Sequence, residues 1–392
     1  MSDVRAAVTG YAARMHRAIG SEHHIASPLG AWLVLAFAAS AARDDLRSQL
    51  ASRLGMPVGE ASAQARALLE KPPAILHLAA AVWTAQHAAD IDAWLTSLPN
   101  EVDVGPIPSQ AEANVWADKH TLGLIKQFPA DLSKAILVLT SALACEVSWR
   151  RPFDTAVADE LELTPATGFD SVGTLLSSSG RDRISVLVAT DHGVVAAHVA
   201  AATHTEMLVV SVIADPEVPS SAVLEDAHTI AVSLARSAPV PGQLSLFDVR
   251  LGPSHSWTVT EHVERGDRDW ERMRSILPAW SAESKHDLVR LGDLGFDVAG
   301  RALYRLIGGA GTSAAQAAVA QYTREGFKAA AITSVMQAAA ARRYPNEVRV
   351  REALIEYTHP HAVVAVSVDD KASPWAGMPL FSAWVTHADE AE

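Results

Sequence analysis

Cysteine is nearly missing from this chain: Cys145 stands alone among 392 residues. That excludes an internal disulfide, and its place in the apolar run Ile136 to Val147 reads as a packing thiol. Long hydrophobic runs are missing too. Without a stretch of about 18 uninterrupted apolar residues, no membrane span and no membrane partner are expected. Positive charge is in short supply, with 32 basic against 45 acidic side chains and a formal charge of −13. Such a balance disfavours a phosphate backbone, so nucleic acid drops out as the main partner and polyanion activation is not expected. Catalytic signatures are also wanting: there is no Gly-x-Ser-x-Gly elbow, no His-Glu-x-x-His helix and no phosphate-cradling glycine loop. Met1 to Ala7 carries no basic region followed by an apolar core, so cytoplasmic residence is the default expectation, with secretion left open.

Histidine is plentiful at sixteen. The pairs His23/His24, His204 with Glu206, and His359 with His361 invite a metal reading, the last two by sharing a strand face. Surface or half-buried histidines are the better explanation, and neither a metal nor another cofactor is expected. The ten tryptophans read as packing.

Hydrophobic residues at 49% and charged residues at 20% supply a sizeable core. Val8, Tyr11, Met15 and Ile19 recur at helical steps between Val4 and Ile19, and Gly20 stops that helix. Ser27-Pro28 opens a second helix, apolar almost all round through Ala41, which belongs in the core. A third spans Asp44 to Leu54 and ends at Gly55. Ile75 to Thr84 reads as a strand, and Ala111 to Phe128 as a helix. Ile136 to Val147, Ile184 to Ala189, Val194 to Ala200, Glu206 to Ile213 and Leu244 to Leu251 read as strands. Helices first and strands later argue for α+β rather than a doubly wound sheet. Without a low-complexity linker or an internal repeat, one large domain over residues 1–392 is expected.

Several segments in order resemble one family, the serpins. They are Ile25-Ala-Ser-Pro-Leu-Gly30 with the helix after it, Asn114-Val-Trp116 with Thr121-Leu-Gly-Leu-Ile125, and Leu137-Val-Leu139 through Trp149-Arg-Arg-Pro-Phe-Asp154. Leu277-Pro278, Asp287-Leu288 with Leu294-Gly295, and Pro379-Leu380-Phe381 follow. The resemblance implies an α+β serpin fold of about three β-sheets and eight or nine helices. It also implies an exposed reactive loop at approximately 326–347.

The segment Gln321 to Thr333 is similar to the family's hinge, which inserts into the main sheet once the loop is cut. A chain that inserts as a strand points every second side chain into the core, so those residues must be small. On this reading Glu325 and Gly326 open the hinge, and Ala329, Ala331 and Thr333 alternate on one face. Gly326 supplies a flexible start. Taken alone, the Ala-rich run Ala314 to Ala341 has the propensity of an ordinary helix. Phe327 departs from the family and falls on the inward face, where it needs a matching pocket or overpacks by about 1–3 kcal/mol.

The resemblance implies an inhibitor that acts as a suicide substrate toward a serine protease, trypsin-like or else a cysteine protease, and works as a monomer rather than as an enzyme. Counting from Gly326 places the reactive bond at Ala340; counting back from Pro345-Asn-Glu-Val348 places it at Arg342, with Arg343 beside it. Two adjacent arginines are also read as a solvated pair. The sheet-opening region maps to Ser27, Gly30, Ser141, Trp149 and Gln316. There Gln316 takes the place of a family histidine, and Gly30 and Ser141 replace a Ser and an Asn, so that network is weakened or rebuilt. Arg349 to Tyr357 reads as an insertion. The alternative keeps the fold and discards inhibition: a binding or chaperone-like protein whose loop does not insert.

Overall fold

Helix α1 (Val4–Ile19) starts where the Asp3 carboxylate accepts the Arg5 N–H and stops at Gly20, whose φ is +98°. It buries Val8, Tyr11 and Met15, the stripe legible in the sequence. This computed structural model describes residues 3–85, 89–157, 172–178, 184–204, 206–307, 312–327 and 346–391. Strand β1 (His24–Ala26) leads into α2 (Pro28–Ser40), whose side chains are buried from Pro28 to Ala39. Then come α3 (Asp44–Leu54), α4 (Val58–Glu70), β2 (Leu76–Thr84), α5 (Ala89–Ser97), β3 (Val102–Gly105), α6 (Gln110–His120) and β4 (Leu137–Cys145).

The strand-rich part follows, with β5 (Val147–Ser148), β6 (Asp154–Val157), β7 (Thr174–Ser178), β8 (Ile184–Thr190), β9 (Gly193–Ala201) and β10 (Met207–Ile213). Helix α7 (Ser220–Ala235) precedes β11 (Gln243–Leu244), β12 (Gly252–Pro253), β13 (Trp257–Gly266), β14 (Trp270–Leu277) and β15 (Trp280–Asp287). Helix α8 (Phe296–Ile307), β16 (Thr312–Ser313), β17 (Ala315–Tyr322), β18 (Gly326–Phe327), β19 (Asn346–Glu356), β20 (His361–Ser367) and β21 (Pro379–Val385) complete the order. This is the expected α+β class. Among the described residues there are eight α-helices, and the strands form four hydrogen-bonded sheets where about three were expected.

The chain forms two compact units, each gathered from three segments. The first holds Met1–Glu146, Ala282–Ala320 and Ala365–Ala383. Here α2 is the axis: α1, α3, α4 and α8 pack around it and β4 lies against it. An all-apolar helix has no face to give to solvent, so it is stable only when wrapped. One sheet of this unit runs β16-β4-β2-β3, with β2 and β4 antiparallel from Leu76↔Cys145 to Thr84↔Leu137.

The second unit holds Val147–Ser281, Gln321–Val364 and Trp384–Glu392. One of its sheets has the order β12-β13-β19-β14-β7-β6. In another, β10, buried at every position, pairs with β9, and β9 with β8. Helix α7 covers β10.

Two sequence readings are corrected. The helix expected over Ala111 to Phe128 ends at His120 because Leu122 and Gly123 both take positive φ. The Asn114 side chain then accepts the Phe128 N–H at 2.9 Å, folding the segment back on α6. Of Leu244 to Leu251, only Leu244 lies in a strand; Ser245 caps a 3-10 turn over Leu246–Asp248 instead. Arg349 to Tyr357, read as an insertion, lies almost wholly in a strand. Residues Asn346–Glu356 are an interior strand, antiparallel to β13 from Gly266↔Asn346 to Trp257↔Ile355 and parallel to β14 on its other edge. Of the Ala-rich run, Ala315–Tyr322 is strand β17, and the part after Phe327 lies outside the described residues.

Candidate functional site

Ser27 is the N-cap of α2, and its hydroxyl oxygen accepts the Gly30 N–H while its own proton goes to the Leu380 carbonyl at 2.9 Å. The Gln316 side-chain amide meets the same residue twice, its oxygen accepting the Ser27 N–H at 2.9 Å and its nitrogen donating to the Ser27 carbonyl at 2.8 Å. Ser141 on β4 donates to the Gly30 carbonyl at 2.9 Å. Four of the five residues assigned to the sheet-opening region thus form one closed network. A Cβ on Gly30 would stand 3.1 Å from the Ser141 Oγ and 3.2 Å from the Ser27 Oγ, so the glycine makes room for both hydroxyls.

Beside it lies a narrow gap of about 10 Å³, lined by Gly30, Val34, Leu139, Ser141 and Gln316 among others. Strand β4 pairs with β2, and its other edge meets β16 only at Leu137 and Val138. Beyond Val138, that edge has no strand partner among the described residues.

Trp149, the fifth residue, belongs to the second unit and to a different cluster. Strand β17 ends at Tyr322, and a turn over Thr323 to Gly326 reverses the chain into β18. The Thr323 hydroxyl donates to the Gly326 carbonyl at 3.1 Å and accepts the N–H groups of Glu325 and Gly326, each at 3.3 Å. Three backbone groups are satisfied by one side chain, which makes the reversal tight. Trp149 fastens it from outside: its backbone N–H donates to the Glu325 carbonyl and its indole N–H to the Thr323 carbonyl, both at 2.9 Å. Arg324 adds a bond to the Phe153 carbonyl at 2.9 Å and a half-exposed ion pair with Glu325.

Gly326 and Phe327 are then paired on both sides. Phe327 lies opposite Tyr322 of β17 in one direction and opposite Val147 of β5 in the other, antiparallel to each, with Gly326 opposite Ser148. Phe327 is only 4% exposed. Its ring stands edge-on to Trp280 at 6.4 Å; Trp280 stacks on Tyr322 at 6.1 Å, and Tyr322 also touches Trp149 and Phe153. The inward Phe327 therefore has the pocket its size demands. Gly326 is buried rather than a free joint.

Sequence reasoning missed Trp280, one of ten tryptophans with nothing local to mark it. Ala329, Ala331, Thr333, Ala340, Arg342 and Arg343 lie outside the described residues. Among the described residues, no three His, Cys, Asp or Glu side chains converge to hold a metal. His24 bonds the Glu22 carbonyl through Nδ1, and His359 bonds the Ala214 carbonyl through Nε2. No described helix is long and apolar enough to cross a membrane.

The family model described as Serpin (serine protease inhibitor) matches residues 6–162. The chain is similar to the thermophilic serpin tengpin in its native state at 14% identity, covering 97% of this chain and 93% of that one with a TM-score of 0.65. It is similar to a serpin from the trematode Schistosoma haematobium at 12% identity, 99% and 100% coverage and TM-score 0.62. Human thyroxine-binding globulin complexed with its ligand matches at 15% identity, 100% coverage of both chains and TM-score 0.63. No curated protein matches the chain significantly. A mixed α+β architecture shared end to end with these proteins is the serpin fold. The chain has the serpin fold, and its residues 6–162 are similar to the serpin family.

Proposed function

We propose that this chain is a serpin-type protease inhibitor of the suicide-substrate kind, with the residues after Phe327 serving as bait. The observation that carries this reading is the two-sided pairing of Gly326 and Phe327 between β5 and β17. A segment seated that way is the first piece of an added strand, which the residues after Phe327 would extend. Each backbone hydrogen bond gained contributes about 1 kcal/mol net, and buried apolar side chains add to it.

The chemistry belongs to the protease. Its nucleophile attacks the Arg342 carbonyl carbon, the Arg342–Arg343 amide breaks, the new amino group leaves on Arg343, and an ester or thioester links Arg342 to the enzyme. Insertion of the freed strand then carries the acyl-enzyme away before water reaches it. Arg342 suits a trypsin-like pocket with a buried carboxylate.

A second reading has its own support. The Phe327 ring already fills the Trp280 nest, so the first step is complete before any cleavage and leaves less free energy to gain. On that reading the chain is a binding protein whose loop does not insert further. One experiment separates the two: incubation with a trypsin-like protease, a denaturing gel, sequencing of the released fragment, and a melting curve of the cut protein. A band at the summed mass, with a fragment beginning at Arg343, is the outcome expected for the inhibitor. Cleavage without that band and without a rise in melting temperature supports the binding protein. Resistance to several proteases between Gly326 and Val348 removes the bait loop itself.

A further inference from the structure

The residues after β21 lie along two neighbours in the second unit. The Asp389 N–H donates to the Ala279 carbonyl at 2.7 Å in an isolated antiparallel bridge, and the Ser281 hydroxyl donates to the Asp389 carboxylate at 2.6 Å. Glu390 reaches β7, one carboxylate oxygen accepting the Gly173 N–H at 2.8 Å and the other the Thr174 N–H at 3.0 Å. The Ala391 N–H donates to the Thr174 carbonyl, and Ala388 packs against Val172, Leu175 and Ile276.

Both residues that Asp389 grips flank Trp280. Trp280 begins β15, the edge strand of the sheet β15-β17-β18-β5, so Asp389 covers that edge just where the ladder starts. The Trp280 ring is 2% exposed, and its indole N–H has no hydrogen-bond acceptor among the described residues. No side-chain bond orients the ring. Its place is set by the backbone on either side of it and by the rings it touches, Tyr322 and Phe327.

We propose that residues 388–391 are a strap that positions Trp280, with Asp389 and Glu390 as positioning residues, and thereby sets how firmly Gly326 and Phe327 stay in the sheet. The inference deepens the reading of Gly326–Phe327 as the start of an inserting strand and rests on it for its functional meaning. Carboxylates that accept backbone N–H groups form the stronger class of hydrogen bond, so a short surface segment suffices for the purpose. Loosening the strap gives Trp280 freedom, opens the Phe327 nest and frees the reversal at Thr323.

The test is hydrogen–deuterium exchange of the full chain, read peptide by peptide, with a melting curve for each variant. The double variant Asp389→Ala/Glu390→Ala is expected to exchange about tenfold faster over residues 321–327, while β13 and β19 exchange as in the parent. Asp389→Asn keeps an acceptor for Ser281 and is expected to match the parent. Faster exchange confined to residues 172–174 and 279–281, or a rise shared by β13 and β19, overturns the proposal. Should the double variant fail to fold, Ser281→Ala removes one bond of the strap and is read the same way. Running the protease gel alongside separates two failures. A parent that forms no trapped complex but whose strap variants loosen residues 321–327 sinks the inhibitor reading and spares the strap. A parent that traps, with unchanged exchange in the variants, does the reverse.

Discussion

The Trp149 backbone N–H donates to the Glu325 carbonyl at 2.9 Å, fastening the residue after β5 to the turn that leads into β18. Around that bond Thr323 and Trp149 together satisfy polar groups of the turn Thr323–Gly326, and β18 rests on ring packing. Phe327 is the residue on which that packing depends. Burying a Phe side chain contributes about 1.5–3 kcal/mol. Phe327→Ala is therefore expected to raise local opening of residues 321–327 about ten- to a hundredfold, at 1.4 kcal/mol per factor of ten. Amide exchange checks it, and an unchanged rate would mean that backbone pairing alone holds the segment.

Gln316 carries the second prediction. Its amide satisfies the N–H of Ser27, a residue 4% exposed, and supplements the bond from the Ala31 N–H at the Ser27 carbonyl. Gln316→Ala leaves that N–H buried without an acceptor, which costs about 1–3 kcal/mol. Urea denaturation should show the midpoint falling with little change in slope. A neutral result would mean that water replaces the amide, since the adjoining gap is lined by Gln316.

What the sequence disclosed and what it hid follow one physical divide. Helices α1 and α2 were legible because their cause is local: Val8, Tyr11 and Met15 form a stripe, Gly20 ends it, and Ser27-Pro28 caps the next helix. The Ser27, Gly30, Ser141 and Gln316 grouping came from the resemblance, and the fold brings those four together. Strand β19 was hidden because Arg349, Arg351 and Glu352 look like surface charges that break the strand alternation. Their partners, Asp269, Glu261 and Arg272, stand roughly 80–90 residues away in the sequence and meet them only through strand pairing. Trp280 was hidden for the same reason, since its contact with Phe327 depends on two strands chosen by the whole fold.

Arg351 supplies the third prediction. Its side chain, 13% exposed, donates to Glu261 at 2.7 Å and to the Leu246 and Val249 carbonyls at 2.6 and 2.9 Å, with its guanidinium 5.1 Å from the Phe247 ring centre. Arg349 reaches the other side of the strand's anchorage, bonding Asp269 and lying 5.0 Å from the same ring. Removing Arg351 takes a charged donor from two carbonyls and a carboxylate at once. Bonds to charged groups contribute about 1.5–3 kcal/mol, so Arg351→Ala should destabilise by about 2–4 kcal/mol. Arg351→Lys keeps the charge but not the fork, and should recover less than half of the loss in a denaturant titration.

The last prediction is the pH dependence of stability. Burial pushes both His24 and His228 down to about 4, the former despite its bond to the Glu22 carbonyl and with help from nearby His286 and His23. The bonding around His24 explains why a second proton is unwelcome. Its Nδ1 faces a carbonyl and must donate, so Nε2 is the acceptor for the His16 Nδ1 proton at 2.8 Å. His16 Nε2 then accepts the Ser382 hydroxyl proton at 2.5 Å. Protonating His24 sets two N–H groups against each other. In the unfolded chain both histidines titrate near 6.5, so between about pH 6.5 and 4 the unfolded state binds more protons. Their stabilising contribution is complete above about pH 6.5 and fades as pH falls toward 4, at up to about 1.4 kcal/mol per unit for each group. Urea midpoints measured at pH 7, 6 and 5 should fall steadily, and His228→Leu should flatten the fall by its own share. A midpoint that holds level to pH 5 in the parent would mean that these sites open to water and charge without unfolding.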